Sequence, residues 1–216
     1  MKKALPFIQK FGAEMFGTLI LSLVVLMSLM SGIPGLLVAL FAGLTLTLFV
    51  YTIGHISGTH INPGVTIGAF LINKIDWKDA LVYLAAQFAG AGVALAIAAG
   101  FAPEPGLGAF FAQVAPTVEN TIRVGLAEAI GMVIFTFGIA SVVYGRNEKG
   151  ASGFIIGASL FMGLLVALMI GSAGVLNPAV GLAVGHFNAM YILGPIVGSI
   201  VGMWLFTLLD MDIKKK

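Results

Sequence analysis

Two Asn-Pro triplets, each set inside an apolar stretch, constrain the fold of this chain more than any other feature. Asn62-Pro63-Gly64 precedes an apolar run that ends at Leu71, and Asn177-Pro178-Ala179 precedes a run that ends near Gly185. Asparagine is a favoured cap at a helix N-terminus, and proline is favoured at the first helical position. Each triplet therefore predicts the start of a helix of about 9 residues, too short to cross a bilayer that needs about 20.

The composition around the triplets is that of a membrane protein. The chain has 216 residues, of which 59% are hydrophobic and 9% are charged, whereas about 25% of the residues in a soluble domain are charged. Six apolar stretches of spanning length predict helices at about 6–30, 36–56, 79–101, 121–144, 151–170 and 189–209. The predicted fold class is an all-α membrane protein with six transmembrane helices and two re-entrant half-helices, with 102–120 as the longest connection.

The same sequence excludes several classes of function. It contains no cysteine, and its three histidines are scattered, so neither thiolate chemistry nor a metal site is predicted. No phosphate-binding loop, nucleophile elbow or catalytic pair of carboxylates can be found. We therefore expect no enzyme activity, no cofactor and no nucleic-acid partner, and we expect the lipid bilayer to surround the chain.

The two halves of the chain carry matching features in the same order. Glu14 precedes Asn62 by 48 residues, and Glu128 precedes Asn177 by 49 residues. Each half holds three spans and one half-span, and an odd number of spans inverts the second copy relative to the first. The sequence therefore predicts a single transmembrane domain over 1–216, built from inverted repeats at about 6–101 and 121–209. The positive ends of the two half-helices would meet at mid-membrane.

Basic residues are distributed unevenly among the predicted loops. If six spans alternate from a cytoplasmic N-terminus, ten of the eleven basic residues fall on the cytoplasmic side and Arg123 falls on the other. This is the pattern expected when positive charge is retained inside the cell. We therefore expect both termini to be cytoplasmic, and the compact loops favour a prokaryotic inner membrane.

The residues around the triplets resemble a known family. The segment Ser57–Thr66, SGTHINPGVT, is similar to the first signature of the aquaporin, or major intrinsic protein, family, and Asn177–Val180 is similar to the second. The resemblance covers about residues 8–209. It implies six tilted helices and two half-helices per subunit, a homotetramer, and in each subunit a pore that conducts water or small neutral solutes.

The resemblance also implies roles for individual residues. Asn62 and Asn177 would donate side-chain hydrogen bonds to the permeant at mid-pore, which suits an amide because it donates without ionising. The half-helix motifs would be completed by Pro63, Gly64, Pro178 and Ala179. Backbone carbonyls would line the pore along two loops, at Gly58, Thr59, His60, Ile61, Val175 and Leu176, because non-helical backbone at this depth must face a cavity.

Two carboxylates inside predicted spans have two interpretations, since a charge there is costly. Glu14 and Glu128 would either accept hydrogen bonds from the amides of the re-entrant loops or couple protons to a carrier. Their similar spacing from the triplets favours the supporting role. His60 is predicted to line the pore or to hold its loop, and His55 and His186 are predicted to be packing or interfacial residues.

The chain departs from the family at the predicted outer filter. The family usually has an arginine where this chain has Val180, and the aspartate of glycerol facilitators is replaced by Gly181. Family spacing puts the other filter positions at Ala42, Leu165 and Gly174. An open apolar filter would pass glycerol, urea or ammonia as well as water, or would dewet and slow water. The alternative to a conducting channel is a weakly conducting or structural membrane protein of the same fold.

Overall fold

The fold is all-helical in a computed structural model that describes residues 6–102, 106–114, 122–145 and 149–210. The helices are α1 (Phe7–Met30), α2 (Gly35–Ser57), α3 (Pro63–Leu71), α4 (Trp77–Phe101), α5 (Leu107–Val114), α6 (Ile122–Tyr144), α7 (Ser152–Ile170), α8 (Pro178–Ala183) and α9 (Ala189–Leu209). A 3-10 turn at Lys149–Ala151 precedes α7.

Six of the helices in the described part of the chain are long and apolar enough to cross a membrane, namely α1, α2, α4, α6, α7 and α9. The predicted all-α membrane fold with six spans is therefore confirmed. Both triplets begin short helices, as predicted. Of the basic residues that were used to predict orientation, Lys2, Lys3, Arg146 and Lys214–Lys216 lie outside the described residues.

The helices pack as two halves that exchange their short helices. Helix α1 packs along α4 in the first half, and α6 packs along α9 in the second. Helix α3 packs against α9 of the second half, and α8 packs against α4 of the first. The contact between α2 and α7 joins the halves at their spanning helices. This reciprocal arrangement is what an inverted repeat produces.

Glycines allow the spanning helices to approach closely. A Cβ atom added at Gly43 in α2 would lie 2.7 Å from the carbonyl oxygen of Gly157 in α7, and one added at Gly157 would lie 2.5 Å from that of Gly43. A Cβ atom at Gly90 in α4 would overlap the backbone of α1 at Met15. Backbone therefore packs directly on backbone at both helix pairs.

Side-chain contacts fix the two ends of the bundle. Lys10, near the start of α1, forms an ion pair of 2.6 Å with Asp79 near the start of α4. We call this end, where α1 begins and α9 ends, the terminal end. At the opposite end, which we call the far end, Arg123 at the start of α6 donates to the carbonyl oxygen of Ile170 at 2.9 Å.

Two elements differ from the sequence-based predictions. The 102–120 connection contains α5, which was not predicted, although 103–105 and 115–121 lie outside the described residues. Its three prolines fall on either side of Leu107–Val114. Proline disrupts a helix when it lies in the helix interior, so these prolines leave α5 intact. Helix α8 is also shorter than predicted, with six residues, because Gly185 turns the chain at a φ of +82°.

Candidate functional site

Each half-helix begins at an asparagine that caps it. Asn62 Oδ1 accepts a hydrogen bond of 2.8 Å from the backbone N–H of Gly64. Asn177 Oδ1 accepts hydrogen bonds of 3.0 Å from Ala179 and 3.3 Å from Val180. These bonds satisfy backbone donors that the first turn of a helix leaves free. The oxygen of each asparagine is therefore occupied by its own helix.

The nitrogen of each asparagine reaches across to the opposite loop. Asn62 Nδ2 donates to the carbonyl oxygen of Leu176 at 2.9 Å, and Asn177 Nδ2 donates to that of Ile61 at 2.9 Å. Each accepting residue directly precedes the other asparagine in sequence. An amide group carries two hydrogens, so one hydrogen of each asparagine has no acceptor in the described part of the chain.

The residues that accept these crossed bonds have an unusual backbone conformation. The φ angle is +37° at Ile61 and +52° at Leu176. Positive φ is uncommon for residues other than glycine and costly for a β-branched one such as isoleucine. In this strained conformation the carbonyl oxygen of each residue points at the asparagine of the opposite loop. The crossed hydrogen bonds help to stabilise the strained backbone.

Glu14 anchors the first re-entrant loop. Its side chain is fully buried. Oε1 accepts hydrogen bonds of 2.6 Å from the Ser57 hydroxyl and 2.9 Å from the N–H of His60. Oε2 accepts hydrogen bonds of 2.6 Å from the N–H of Ile61 and 2.8 Å from the Gln87 side chain. Four donors thus surround a carboxylate that would otherwise be costly inside the bundle.

Glu128 has the equivalent position in the second half. It is also fully buried, and its Oε1 accepts from the Ser172 hydroxyl and, at 3.1 Å, from the N–H of Val175. Its Oε2 accepts a hydrogen bond of 2.6 Å from the N–H of Leu176. Both carboxylates bind the re-entrant loops, and neither lies in the wall of the cavity between them. This geometry supports a scaffolding role over proton coupling.

A cavity of about 120 Å³ runs from the two asparagines toward the far end. Side chains of α1, α2 and α7, most of them leucine, valine or alanine, form much of its wall. The polar side chains that the described part of the chain contributes to this wall are His60, Asn62, Asn177 and His186. A water molecule needs only about 10–15 Å³ of such volume, so the cavity can hold a short file of water molecules.

The cavity brings together most of the predicted pore residues. Its wall includes Ala42, His60, Ile61, Asn62, Gly174, Val175, Asn177 and Val180. Leu164 and Leu168 of α7 line the cavity, and Leu165, to which the sequence assigned a filter position, does not. Successive residues are about 100° apart around a helix, so an error of one residue turns the side chain away.

Three loop residues whose backbone carbonyls were predicted to line the pore are not among the residues of this cavity wall. Gly58 ends α2 in a left-handed conformation with φ of +88°. The hydroxyl of Thr59 donates to the carbonyl oxygen of Phe49 at 3.2 Å. The fully buried side chain of Leu176 packs against α6 and α7 at Gly131 and Gly163. The helix residues Pro63, Gly64, Pro178 and Ala179 are likewise buried outside the wall.

His60 both lines the cavity and is held in place. Its Nδ1 lies 3.1 Å from the hydroxyl of Thr66, and its ring meets the ring of Tyr83 edge-on at a centroid distance of 5.1 Å. Its backbone N–H is bound by Glu14. The two roles considered for His60 from the sequence are therefore compatible in the structure.

His186 is a wall residue that sequence reasoning assigned to packing or to an interface. It lies between α8 and α9, its side chain is 6% exposed, and its ring stacks on that of Tyr191 at a centroid distance of 5.1 Å. Burial lowers the pKa of His186 to about 4, so the ring is neutral near pH 7. A lone histidine in a connecting loop has no spacing that could have placed it at the cavity.

Six spanning helices, together with two capped half-helices whose asparagines lie in the wall of a cavity, are the arrangement of a multi-pass membrane channel. A family profile described as "Major intrinsic protein" matches residues 1–206. The chain belongs to the major intrinsic protein family, whose aquaporins are channels and not enzymes.

Curated relatives agree with this assignment over nearly the whole chain. Aquaporin NIP1-1 of Zea mays is 32% identical over 99% of this chain and 79% of its own length. Nodulin-26 of Glycine max is 30% identical over 95% of this chain and 79% of its own. Aquaporin AqpM of Methanothermobacter thermautotrophicus is 29% identical over 81% of this chain and 77% of its own length.

A solved structure has the same fold. The aquaglyceroporin from Plasmodium falciparum superposes with a TM-score of 0.68, covering 98% of this chain and 100% of its own, at 19% sequence identity. At this identity the similarity establishes the fold alone.

Proposed function

We propose that the protein is a passive channel for water and small neutral solutes, and that the permeant passes the two asparagines. The observation that carries the proposal is the pair of amide groups in the cavity wall. Each has its oxygen occupied by a helix cap and one hydrogen occupied by the opposite loop. The second hydrogen of each amide is left for a permeant.

Two fixed donors at one point control how water passes. A water molecule that accepts from both Asn62 and Asn177 must turn its own hydrogens toward the two exits. A continuous chain of hydrogen bonds in one direction is then interrupted, which opposes proton conduction. The positive ends of α3 and α8 add a repulsion for cations at the same depth. We expect this centre to exclude protons, so a proton flux near the water flux would contradict the proposal.

The outer filter is proposed to be apolar and open. It would consist of Ala42, Leu164, Gly174 and Val180, with Leu164 in place of Leu165. None of these side chains can repel a cation or bind one solute strongly. We infer that glycerol, urea or ammonia pass as well as water, because such a filter discriminates by width rather than by charge.

We further propose an orientation in the membrane and an oligomeric state for the protein. Among the described residues, Lys10 and Lys78 lie near the helix starts at the terminal end, and Arg123 lies at the far end. The terminal end would therefore be cytoplasmic, as the positive-inside rule predicts, in the inner membrane of a cell. By analogy with the family, four copies would form a homotetramer, each a single domain of two repeats, about 6–101 and 121–209.

Stopped-flow light scattering on liposomes containing the purified protein tests this function. With external sucrose, we expect the vesicles to shrink faster than empty liposomes of the same size. With external glycerol, we expect shrinkage followed by faster reswelling than in empty liposomes, since the filter is open. Shrinkage at the rate of empty liposomes would contradict the proposal and favour the structural alternative.

A further inference from the structure

His186 has a ring nitrogen that the rest of the chain leaves unpaired. Its Nδ1 is buried and has no hydrogen-bond partner within the described residues. The side chain is 6% exposed and forms part of the cavity wall. A buried polar atom without a partner is costly, and such atoms are rare in folded proteins. Nδ1 itself is enclosed by protein atoms, whereas the ring as a whole forms part of the cavity wall, so a molecule inside the cavity would meet the imidazole at its other nitrogen, Nε2.

The position of the ring is fixed by its surroundings. The backbone N–H of His186 donates to the carbonyl oxygen of Gly181 at 2.8 Å, which ties the residue to α8. Its ring lies nearly parallel to that of Tyr191, with 18° between the ring planes. The hydroxyl of Tyr191 in turn accepts a hydrogen bond of 3.0 Å from the N–H of Ala173. The imidazole is therefore held against the second re-entrant loop.

The surrounding wall offers little other polarity. Among the described wall residues, the remaining polar side chains are the two asparagines and His60, which belong to the crossing of the half-helices. The other wall residues from Gly174 to Val184, apart from Asn177, are Gly174, Val175, Val180 and Val184, which carry no polar side chain. An apolar stretch of this kind can lose its water. A single hydrogen-bonding group there has a large influence on wetting.

We propose that His186 is a permeant-binding residue of the channel, which exchanges hydrogen bonds with water and small polyols in the far half of the cavity. In a neutral imidazole the nitrogen that faces the cavity is a donor or an acceptor according to the tautomer, and a hydroxyl group can match either. The ring would keep the apolar segment wet and so support the passage of both water and polyols. This inference rests on the proposed channel function.

The His186 ring can contribute to permeation by stacking on Tyr191 or by hydrogen bonding to the permeant, and two substitutions separate these contributions. His186→Phe preserves a flat ring against Tyr191 and removes both nitrogens. His186→Gln restores a donor and an acceptor and removes the ring. His55→Phe is the matched control, because His55 is exposed on α2 and lies outside the cavity wall. Size-exclusion profiles and thermal unfolding verify that each variant folds.

Water and glycerol permeabilities are measured for each variant in liposomes. We expect His186→Phe to lower both by about three- to tenfold, the size expected from one lost hydrogen bond. We expect His186→Gln to retain most of the flux and His55→Phe to match the wild type. A glutamine variant that is no faster than the phenylalanine variant would overturn the inference, because stacking would then be the contribution that matters.

The same measurements separate this inference from the proposed function. If the wild type conducts and His186→Phe conducts equally well, the inference about His186 fails and the channel function stands. If the wild type does not exceed empty liposomes, both proposals are overturned together.

Discussion

Glu14→Leu is expected to prevent the protein from reaching a stable folded state. Leucine would leave the hydroxyl of Ser57 and the N–H groups of His60 and Ile61 without this acceptor. A buried donor left unpaired costs about 1–3 kcal/mol, so three of them cost about 3–9 kcal/mol. This is comparable to the whole stability of many proteins, about 5–15 kcal/mol. Thermal unfolding and size-exclusion chromatography in detergent would measure the effect.

Thr18→Val is a matched control for this substitution. Thr18 lies one turn further along α1, is fully buried, and its hydroxyl has no hydrogen-bond partner within the described residues. The valine side chain has nearly the same shape, so no hydrogen bond is lost and no cavity is created. We expect a melting temperature within a few degrees of the wild type. Equal melting temperatures for Glu14→Leu and Thr18→Val would contradict the anchoring role of the carboxylate.

Gly90→Val is expected to separate α4 from α1 and to destabilise the fold severely. A Cβ atom at this position would overlap the carbonyl oxygen of Met15 and lie 2.9 Å from the nitrogen of Leu19. Both are backbone atoms within α1 and cannot rotate away. Overpacked cores typically cost about 1–3 kcal/mol, and we expect a loss at or above this range. A reduced yield of folded protein and a lower melting temperature would show it.

Gly92→Val makes the same change two residues along the same helix. A Cβ atom at Gly92 would meet nothing within 4 Å, so any effect on the intrinsic helix propensity of α4 is common to both variants. We expect Gly92→Val to fold like the wild type. If Gly90→Val and Gly92→Val had the same melting temperature, the proposed role of Gly90 in close backbone packing between α1 and α4 would be contradicted.

The parts of the structure that follow from local rules could be predicted from the sequence. Asparagine followed by proline caps a helix through contacts within three residues, so the starts at Asn62 and Asn177 needed no knowledge of the rest of the fold. The six spans depended on length and apolar composition alone. The similar spacing from Glu14 and Glu128 to the two triplets indicated the inverted repeat, and the exchange of α3 and α8 between the halves is consistent with it.

The parts that depend on contacts between distant segments could not be predicted. The bonds from Asn62 to Leu176 and from Asn177 to Ile61 join residues 114 and 116 positions apart, and no local pattern encodes them. The rotation of α7, which decides between Leu164 and Leu165, is set by packing against α2 and α6. His186 reaches the cavity because α8 ends early and Tyr191 supports its ring.

The central claim is that the two asparagine amides serve the permeant, and one comparison of water permeability tests it most directly. The double variant Asn62→Ser/Asn177→Ser keeps oxygen caps at both helix starts, since serine is also a favoured cap, but has no amide hydrogens. Asn188→Ser is the control, because Asn188 caps α9 through Met190 at 3.0 Å and lies outside the cavity wall.

Both proteins would be purified, shown to fold by thermal unfolding, and compared with the wild type by stopped-flow light scattering in liposomes with external sucrose. We expect the double variant to lose about tenfold or more of its water permeability, the effect of two lost hydrogen bonds, and the control to conduct like the wild type. A folded double variant with wild-type permeability would contradict the claim.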